Sequence, residues 1–141
     1  MGIGDFLLYV MQRFTTTFTQ QAPVRWPNSP FDQPKNGVWV EANILAGDPF
    51  SASIRGKTKT DRNVGILQFD VLSPMDSDAI DAYRAAEEIG AIFDSVTEAV
   101  TPQIDARFKV AGVKDMGTRD GYYRVMVRIP YQFDIKRFVE G

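Results

Sequence analysis

The chain has 141 residues, a formal net charge of −2, 44% hydrophobic residues, and neither cysteine nor histidine. This length and apolar content fit a single folded domain with its own core. The composition excludes disulfides, thiolate or imidazole metal ligands and histidine-based catalytic triads, and the small net charge does not point to nucleic acid or a membrane surface as a partner.

The first predicted element is an amphipathic helix over residues 3–18. Its apolar side chains recur at helical spacing along one stripe: Leu7, Val10, Met11, Phe14 and Phe18. The apolar stretch is much shorter than the roughly 20 residues that span a bilayer. We therefore predict a helix that packs on the domain, with a partner-binding helix as the alternative.

A proline-rich arm follows over residues 22–37. Trp26 and Trp39 flank prolines at positions 27, 30 and 34. Each residue before a proline favours extended backbone, so this stretch cannot continue the helix. Its aromatic content argues against an idle linker, but the residues alone do not determine its role.

A long hairpin is predicted next, with strands over residues 38–45 and 64–72. The segment between them, residues 46–63, is rich in Gly, Ser, Thr and charge, which predicts a mobile tip. Four cations make the tip locally basic: Arg55, Lys57, Lys59 and Arg62.

The strongest helical pattern lies within residues 73–96, where Ala82, Ala86, Ile89, Phe93 and Val96 form the stripe to be buried. Its polar side holds the acids Asp78, Asp81, Glu87 and Glu88. A carboxylate pair can catalyse acid–base chemistry without histidine, but acids on the polar face of one helix are usually only solvated.

A second hairpin follows. Residues 104–113 alternate, with Ile104, Ala106, Phe108 and Val110 predicted to point inward. Asp120–Gly121 is a turn signal, and residues 122–135 give the longest alternation in the chain. Because proline cannot donate to a ladder, Pro130 predicts an edge strand or a bulge.

This order of elements predicts one α+β domain over residues 1–141. We expect an antiparallel or mixed sheet of about four strands, flanked by two helices and bearing the long mobile hairpin tip, with the core domain at 38–135. The predicted core residues are Phe69, Ile89, Phe93, Phe108, Val125, Val127 and Ile129.

The charges are separated along the chain. Residues 70–98 carry eight acids against Arg84 alone, whereas residues 101–137 carry eight basic residues against four acids. Such a chain can be complementary to a neighbour or to itself, the alternative being two ordinary solvated faces. No phosphate-binding loop, EF-hand spacing or RNA-binding motif occurs, so we predict no cofactor, metal or specific nucleic-acid site.

Four stretches in this order resemble the tail terminator proteins of long-tailed bacteriophages, in particular the minor-tail-protein-U-like group. They are "VRWPNSPFDQPKNGVWVEANIL", "GILQFDVLSP", "AAEEIGAIFD" and "YYRVMVRIPYQFD". The resemblance spans roughly residues 22–134. It implies an α+β subunit that forms a ring, usually of six copies, at the head-proximal end of the tail tube.

Such a ring ends tube polymerisation and presents a surface to head-completion proteins. The resemblance thus implies a structural virion protein, not an enzyme, located in the virion tail and, during assembly, in the host cytoplasm. Genome DNA would pass through the ring lumen, and no membrane is involved. A head–tail joining or head-completion protein is the alternative, and a small enzyme of unknown type the distant one.

The resemblance and the charges together predict interface residues. The resemblance implies that the proline-rich arm is a stiff connector, which lies against its own core or reaches a neighbouring subunit with Trp26 and Phe31 as anchors. We expect the basic tip at Arg55, Lys57, Lys59 and Arg62 to meet an acidic partner. That partner is either the rim of the tube or the helix of an adjacent subunit, through Asp78, Asp81 and Glu88.

Overall fold

The computed structural model describes residues 3–19, 22–27, 37–74 and 79–138. Two helices, α1 (Ile3–Thr17) and α2 (Ala79–Phe93), accompany one mixed sheet. The predicted α+β class and both helices are confirmed, but the estimate of about four strands is wrong. The described residues form eight: β1 (Val24–Arg25), β2 (Trp39–Ala46), β3 (Phe50–Arg55), β4 (Thr58–Pro74), β5 (Thr97–Thr101), β6 (Ile104–Phe108), β7 (Gly112–Arg119) and β8 (Tyr122–Phe138).

The sheet is built on β4 and β8, which are 17 residues long and antiparallel along their whole length. Each has two shorter partners on its outer side. β2 and β3 pair with successive halves of β4, and β7 and β6 with successive halves of β8. β1 extends the sheet parallel to β2, and β5 extends it beyond β6.

The segment predicted as the long mobile hairpin tip, residues 46–63, is mostly strand. β3 and the start of β4 form a ladder closed by a turn at Gly56 and Lys57, where Gly56 has φ +58°. Glycine takes this conformation without a steric penalty. Phe50, Ala52 and Ile54 alternate with polar residues in β3, but all six of its residues are exposed, so this alternation marks no buried face. Its partner, β4, is held in turn by the full length of β8.

The second predicted hairpin is also more divided than expected. The strand predicted at 104–113 ends at Phe108, and the chain starts a separate strand at Gly112. Val110, predicted to point inward, lies between the two strands and is 73% exposed. The turn at Asp120–Gly121 is confirmed, because both residues have positive φ, as a two-residue hairpin turn requires.

Pro130 lies in the middle of a central strand, so the prediction of an edge strand is wrong. Its carbonyl accepts a hydrogen bond from Lys109 N at 2.9 Å. In an antiparallel strand the N and C=O of one residue point to the same side. The side on which Pro130 lacks an N–H therefore faces residues 109–111, between β6 and β7. The neighbouring strand is interrupted where proline cannot donate.

Both helices pack on one face of the sheet. The seven predicted core residues are all buried, which confirms that set. α1 adds Phe6, Val10 and Phe14, so its buried stripe is rotated from the predicted one; Leu7 and Met11 are only half-buried. Phe14 stacks on Phe69, with ring centroids 5.3 Å apart. Within the described residues, neither helix is long and apolar enough to cross a membrane.

Candidate assembly surfaces

The hairpin tip, residues 54–59, is the first candidate surface. Arg55 and Lys57 are exposed, and neither forms an ion pair with another described residue. The other two predicted cations are held within the subunit. Lys59 lies 3.4 Å from Asp61, and Arg62 is bound to a carboxylate on β8. The structure therefore leaves two of the four predicted cations at the tip for a partner.

The second candidate surface is the outer face of α2: Ile80, Asp81, Arg84, Glu87, Ala91 and Asp94, all exposed. Asp81 and Glu87 form no ion pair among the described residues. Asp94 accepts a hydrogen bond from Ala111 N at 2.8 Å. This bond connects the end of the helix to the residue that precedes β7. Asp81 and Glu87 thus leave a negative charge on the surface.

Two other predicted interface residues contact their own subunit. The Trp26 ring stands edge-on to Phe14 and Phe69, with centroid distances of 5.4 and 6.2 Å. Glu88 accepts hydrogen bonds from the backbone N and side-chain hydroxyl of Thr19, both at 2.6 Å. Trp26 therefore anchors the start of the arm on the core. Phe31 and Asp78 lie outside the described residues.

A cavity of about 540 Å³ lies on the sheet face opposite the helices; we call it the sheet cavity. Its lining residues come from β1, β2, β4, β7, β8 and the β7–β8 turn: Arg25, Trp39, Glu41, Leu72, Arg119, Asp120, Tyr122 and Arg124. The Trp39 and Tyr122 rings meet edge-on at 6.4 Å. The cavity therefore has an apolar floor, three guanidinium groups and the carboxylates of Glu41 and Asp120. The sequence patterns did not predict a cavity here.

A buried charge lies beside this cavity. Asp70 is 2% exposed, and its Oδ2 accepts hydrogen bonds from Arg124 Nη2 at 3.2 Å and from Gln68 Nε2 at 3.4 Å. Asp70 Oδ1 and Arg124 Nε are buried without a hydrogen-bond partner in the described structure. Unpaired buried polar atoms are costly and usually have a structural or functional explanation.

A second polar cluster fastens β7 to α2. Asp115 accepts hydrogen bonds from the Tyr123 hydroxyl at 2.5 Å, from Gly117 N at 2.7 Å and from the Tyr83 hydroxyl at 3.0 Å. These donors hold the pKa of Asp115 below its usual value, and the same carboxylate raises the pKa of Tyr123. Because every group in the cluster has a partner here, we interpret it as structural.

Tyr9 and Arg13 of α1 meet Glu98 of β5. The Tyr9 hydroxyl donates to Glu98 at 2.5 Å, and burial together with this carboxylate raises the pKa of Tyr9 to about 12. Arg13 pairs with Glu98 at 3.2 Å and also donates to Ile92 O at the end of α2. In the described parts of the chain, no three acids converge to form a metal site.

The sequence profile of the family described as "Phage tail terminator protein" matches residues 8–131. The chain therefore belongs to the phage tail terminator family. This is a family of structural proteins, which makes the chain a component of phage tail assembly.

A solved structure, of a protein whose name states no function, shares the fold. It superposes with a TM-score of 0.70 at 21% sequence identity, and the match covers 99% of both chains. At this identity the likeness shows the fold alone. No curated protein matches the chain.

Proposed function

We propose that this protein forms a ring at the head-proximal end of the phage tail tube. The ring ends tube polymerisation and provides the surface to which the head is joined. The observation that supports this function is the family match over residues 8–131. The usual ring of the family has six subunits, and we propose the same number here.

The shape of the subunit favours a ring. Both helices lie on one face of the sheet, and the sheet cavity lies on the other. Two unlike faces can join head to tail, and a head-to-tail contact closes into a ring when its rotation is right. A single self-complementary patch would instead give a twofold dimer.

The partners follow from this position in the virion. One rim of the ring contacts the tail tube protein, and the other contacts the head-completion protein. Genome DNA passes through the lumen without sequence-specific readout. The protein assembles in the host cytoplasm and remains in the virion tail.

Electron microscopy of phage lacking this protein tests the proposal. We expect tails of uncontrolled length, or tails that fail to join heads, and restoration of both by the wild-type chain supplied in trans. Tails of normal length that only fail to join heads would favour a head-completion protein instead. Normal tails joined normally to heads would contradict both functions.

A further inference from the structure

Three strands of the described sheet have a neighbour on one side only along their whole length. β3 pairs with β4, β5 with β6, and β7 with β8. The outer side of such a strand presents a row of backbone N–H and C=O groups, which can pair with a strand of another molecule. These three edges are therefore places where a second copy of the chain could add a strand.

β3 contains one residue more than the stretch of β4 with which it pairs. Ser51 is opposite Asp61 and Ser53 is opposite Thr60, and the two partners on β4 are adjacent in sequence. Ala52 is therefore an extra residue, and the strand forms a β-bulge at this position.

The other two edge strands have the same feature. The extra residue is Val100 in β5 and Met116 in β7. In contrast, the pairings between inner strands, β2 with β4, β4 with β8 and β6 with β8, run without a shift in register. The irregularities are thus confined to the free edges, and in each case the extra residue lies on the edge strand.

A bulge bends its strand, increases the local twist and interrupts the ladder. A strand from another molecule needs a regular row of N–H and C=O groups, and bulges are one of the means by which natural sheets protect their edges. In β7, the Asp115 side chain also accepts a hydrogen bond from Gly117 N at 2.7 Å. We propose that the extra residues of β3, β5 and β7 prevent these edges from pairing with a strand of a second copy.

β3 is the edge that most needs this protection. All six of its residues are exposed, and Phe50 and Ile54 are 51% and 65% exposed. Residues 50–54 contain neither a charge nor a proline. A flat, exposed edge strand of this composition is a site of edge-to-edge aggregation. Ala52 therefore gives the sharpest test.

Deletion of Ala52 removes the bulge and keeps the register on both sides of it. Ser51 and Ser53 become adjacent, as Asp61 and Thr60 already are, so each remaining residue of β3 retains its partner on β4. Ala52→Ser is the matched control, because it changes the side chain and keeps the extra residue. Deletion of Ala52 combined with Ser53→Lys restores protection by another means, since a lysine on an edge strand also opposes pairing.

The association of the full-length variants is measured by sedimentation over a range of concentrations, after circular dichroism has shown that each is folded. We expect the deletion to increase the oligomeric fraction roughly tenfold over wild type at the same concentration, because it makes the edge regular. Ala52→Ser should match wild type, and Ser53→Lys should reverse the effect of the deletion. A folded deletion variant that sediments like wild type would overturn the inference, as would oligomers that persist with Ser53→Lys.

Amide hydrogen exchange gives a second readout that needs no variant. In wild type, the amides of β3 that are not bonded to β4 should exchange rapidly, both in the free protein and on tail tubes. In the deletion variant they should become protected as it associates. Slow exchange of these amides in wild type would overturn the inference even if the deletion variant failed to fold.

This inference does not rest on the proposed ring. Rings in which β3, β5 or β7 pairs with a strand of the next copy would overturn it and leave the proposed function in place. Normal tails from phage lacking the protein would contradict the proposed function and leave the protection of the edges untouched.

Discussion

Asp134 on β8 accepts both hydrogen bonds of the Arg62 guanidinium on β4, from Nε at 2.9 Å and from Nη2 at 3.1 Å. The two residues are 72 positions apart in sequence and directly opposite in the ladder. The paired arrangement suits a guanidinium and a carboxylate. Arg62 therefore joins the two central strands inside the subunit, although its position in a basic stretch had suggested a contact with a partner.

This pair gives the first prediction. Arg62→Ala should lower the melting temperature because it leaves the Asp134 carboxylate without its partner, whereas Arg55→Ala, on an exposed side chain of β3, should leave it unchanged. Thermal unfolding followed by circular dichroism compares the two variants. Equal melting temperatures would mean that the pair contributes nothing to the fold.

The second prediction concerns the aromatic centre of the core. Phe69 is fully buried and contacts Phe14, Trp26 and Phe93. Phe69→Ala should lower the free energy of unfolding by about 3–5 kcal/mol because it removes these contacts and leaves a cavity. Leu8→Ala, at a side chain that is 54% exposed, is the control and should change it little. Urea unfolding measures both, and a loss below about 1 kcal/mol for Phe69→Ala would contradict this packing.

The core and the long strands could be predicted because their apolar residues alternate or recur at helical spacing. β7 has no such alternation, and in β3 the alternating Phe50, Ala52 and Ile54 are all exposed, so neither strand has a buried face to predict. They form strands because their backbones pair with β4 and β8 by hydrogen bonding. The position of Pro130 was misread because the hydrogen bond that proline cannot donate interrupts the neighbouring strand, near Lys109, and not β8 itself.

The candidate surfaces were predictable only in their charge. The sequence identified a basic stretch and an acidic helix, but which charges remain available depends on tertiary contacts. Glu88 is held by Thr19 and Arg62 by Asp134. The sheet cavity combines residues from five strands and a turn, so no local pattern could show it.

The third prediction follows from a buried hydroxyl. Tyr131 is 2% exposed, its hydroxyl has no hydrogen-bond partner in the described structure, and burial raises its pKa. Removing an unpaired buried polar group is neutral or stabilising. Tyr131→Phe should therefore unfold at the same temperature as wild type or a higher one. A clear decrease would show that the hydroxyl has a partner in solution.

The fourth prediction concerns glycine at position 65, which lies opposite Tyr131 in the ladder. A Cβ at Gly65 would stand 2.5 Å from both Leu45 O and the Tyr131 hydroxyl. Gly65→Ala should therefore be strongly destabilising. Adding Tyr131→Phe should not rescue it, because the clash with the Leu45 backbone remains. Gly4→Ala, where a Cβ meets nothing within 4 Å, is the matched control, and melting temperatures decide between the outcomes.

Acid should weaken the cluster that fastens β7 to α2. The hydrogen bonds from Tyr123, Gly117 and Tyr83 hold the pKa of Asp115 below its ordinary value of 3.8. A lowered pKa in the folded state stabilises it above the unfolded value, and this contribution is lost as the pH falls through the folded value. The melting temperature of wild type should therefore exceed that of Asp115→Asn by a constant amount above about pH 5.

Below about pH 4 that difference should narrow. Asp120→Asn is the control, since the Asp120 side chain is 90% exposed, and it should match wild type at every pH. A difference between wild type and Asp115→Asn that stays constant down to pH 2–3 would mean that the carboxylate charge contributes nothing to the cluster.

The last prediction separates the hairpin tip from the strands that support it. Reversing all four cations would also break the Arg62–Asp134 and Lys59–Asp61 pairs, so a loss of function could follow from a damaged fold. Arg55→Glu with Lys57→Glu changes only the two exposed cations at the tip. This variant should melt like wild type, because neither side chain forms an ion pair with another described residue.

The same variant should fail to cap tail tubes if the tip meets an acidic tube rim. Exposed ion pairs are each worth only about 0–1 kcal/mol and weaken with salt. The difference in capping between this variant and wild type should therefore be largest at low salt concentration, and raising the salt concentration should weaken capping by wild type. Arg55→Lys with Lys57→Arg keeps both charges and should cap normally. Capping by the Glu variant at physiological salt would show that the tip makes no essential contact, and the tube would then have to bind another part of the ring.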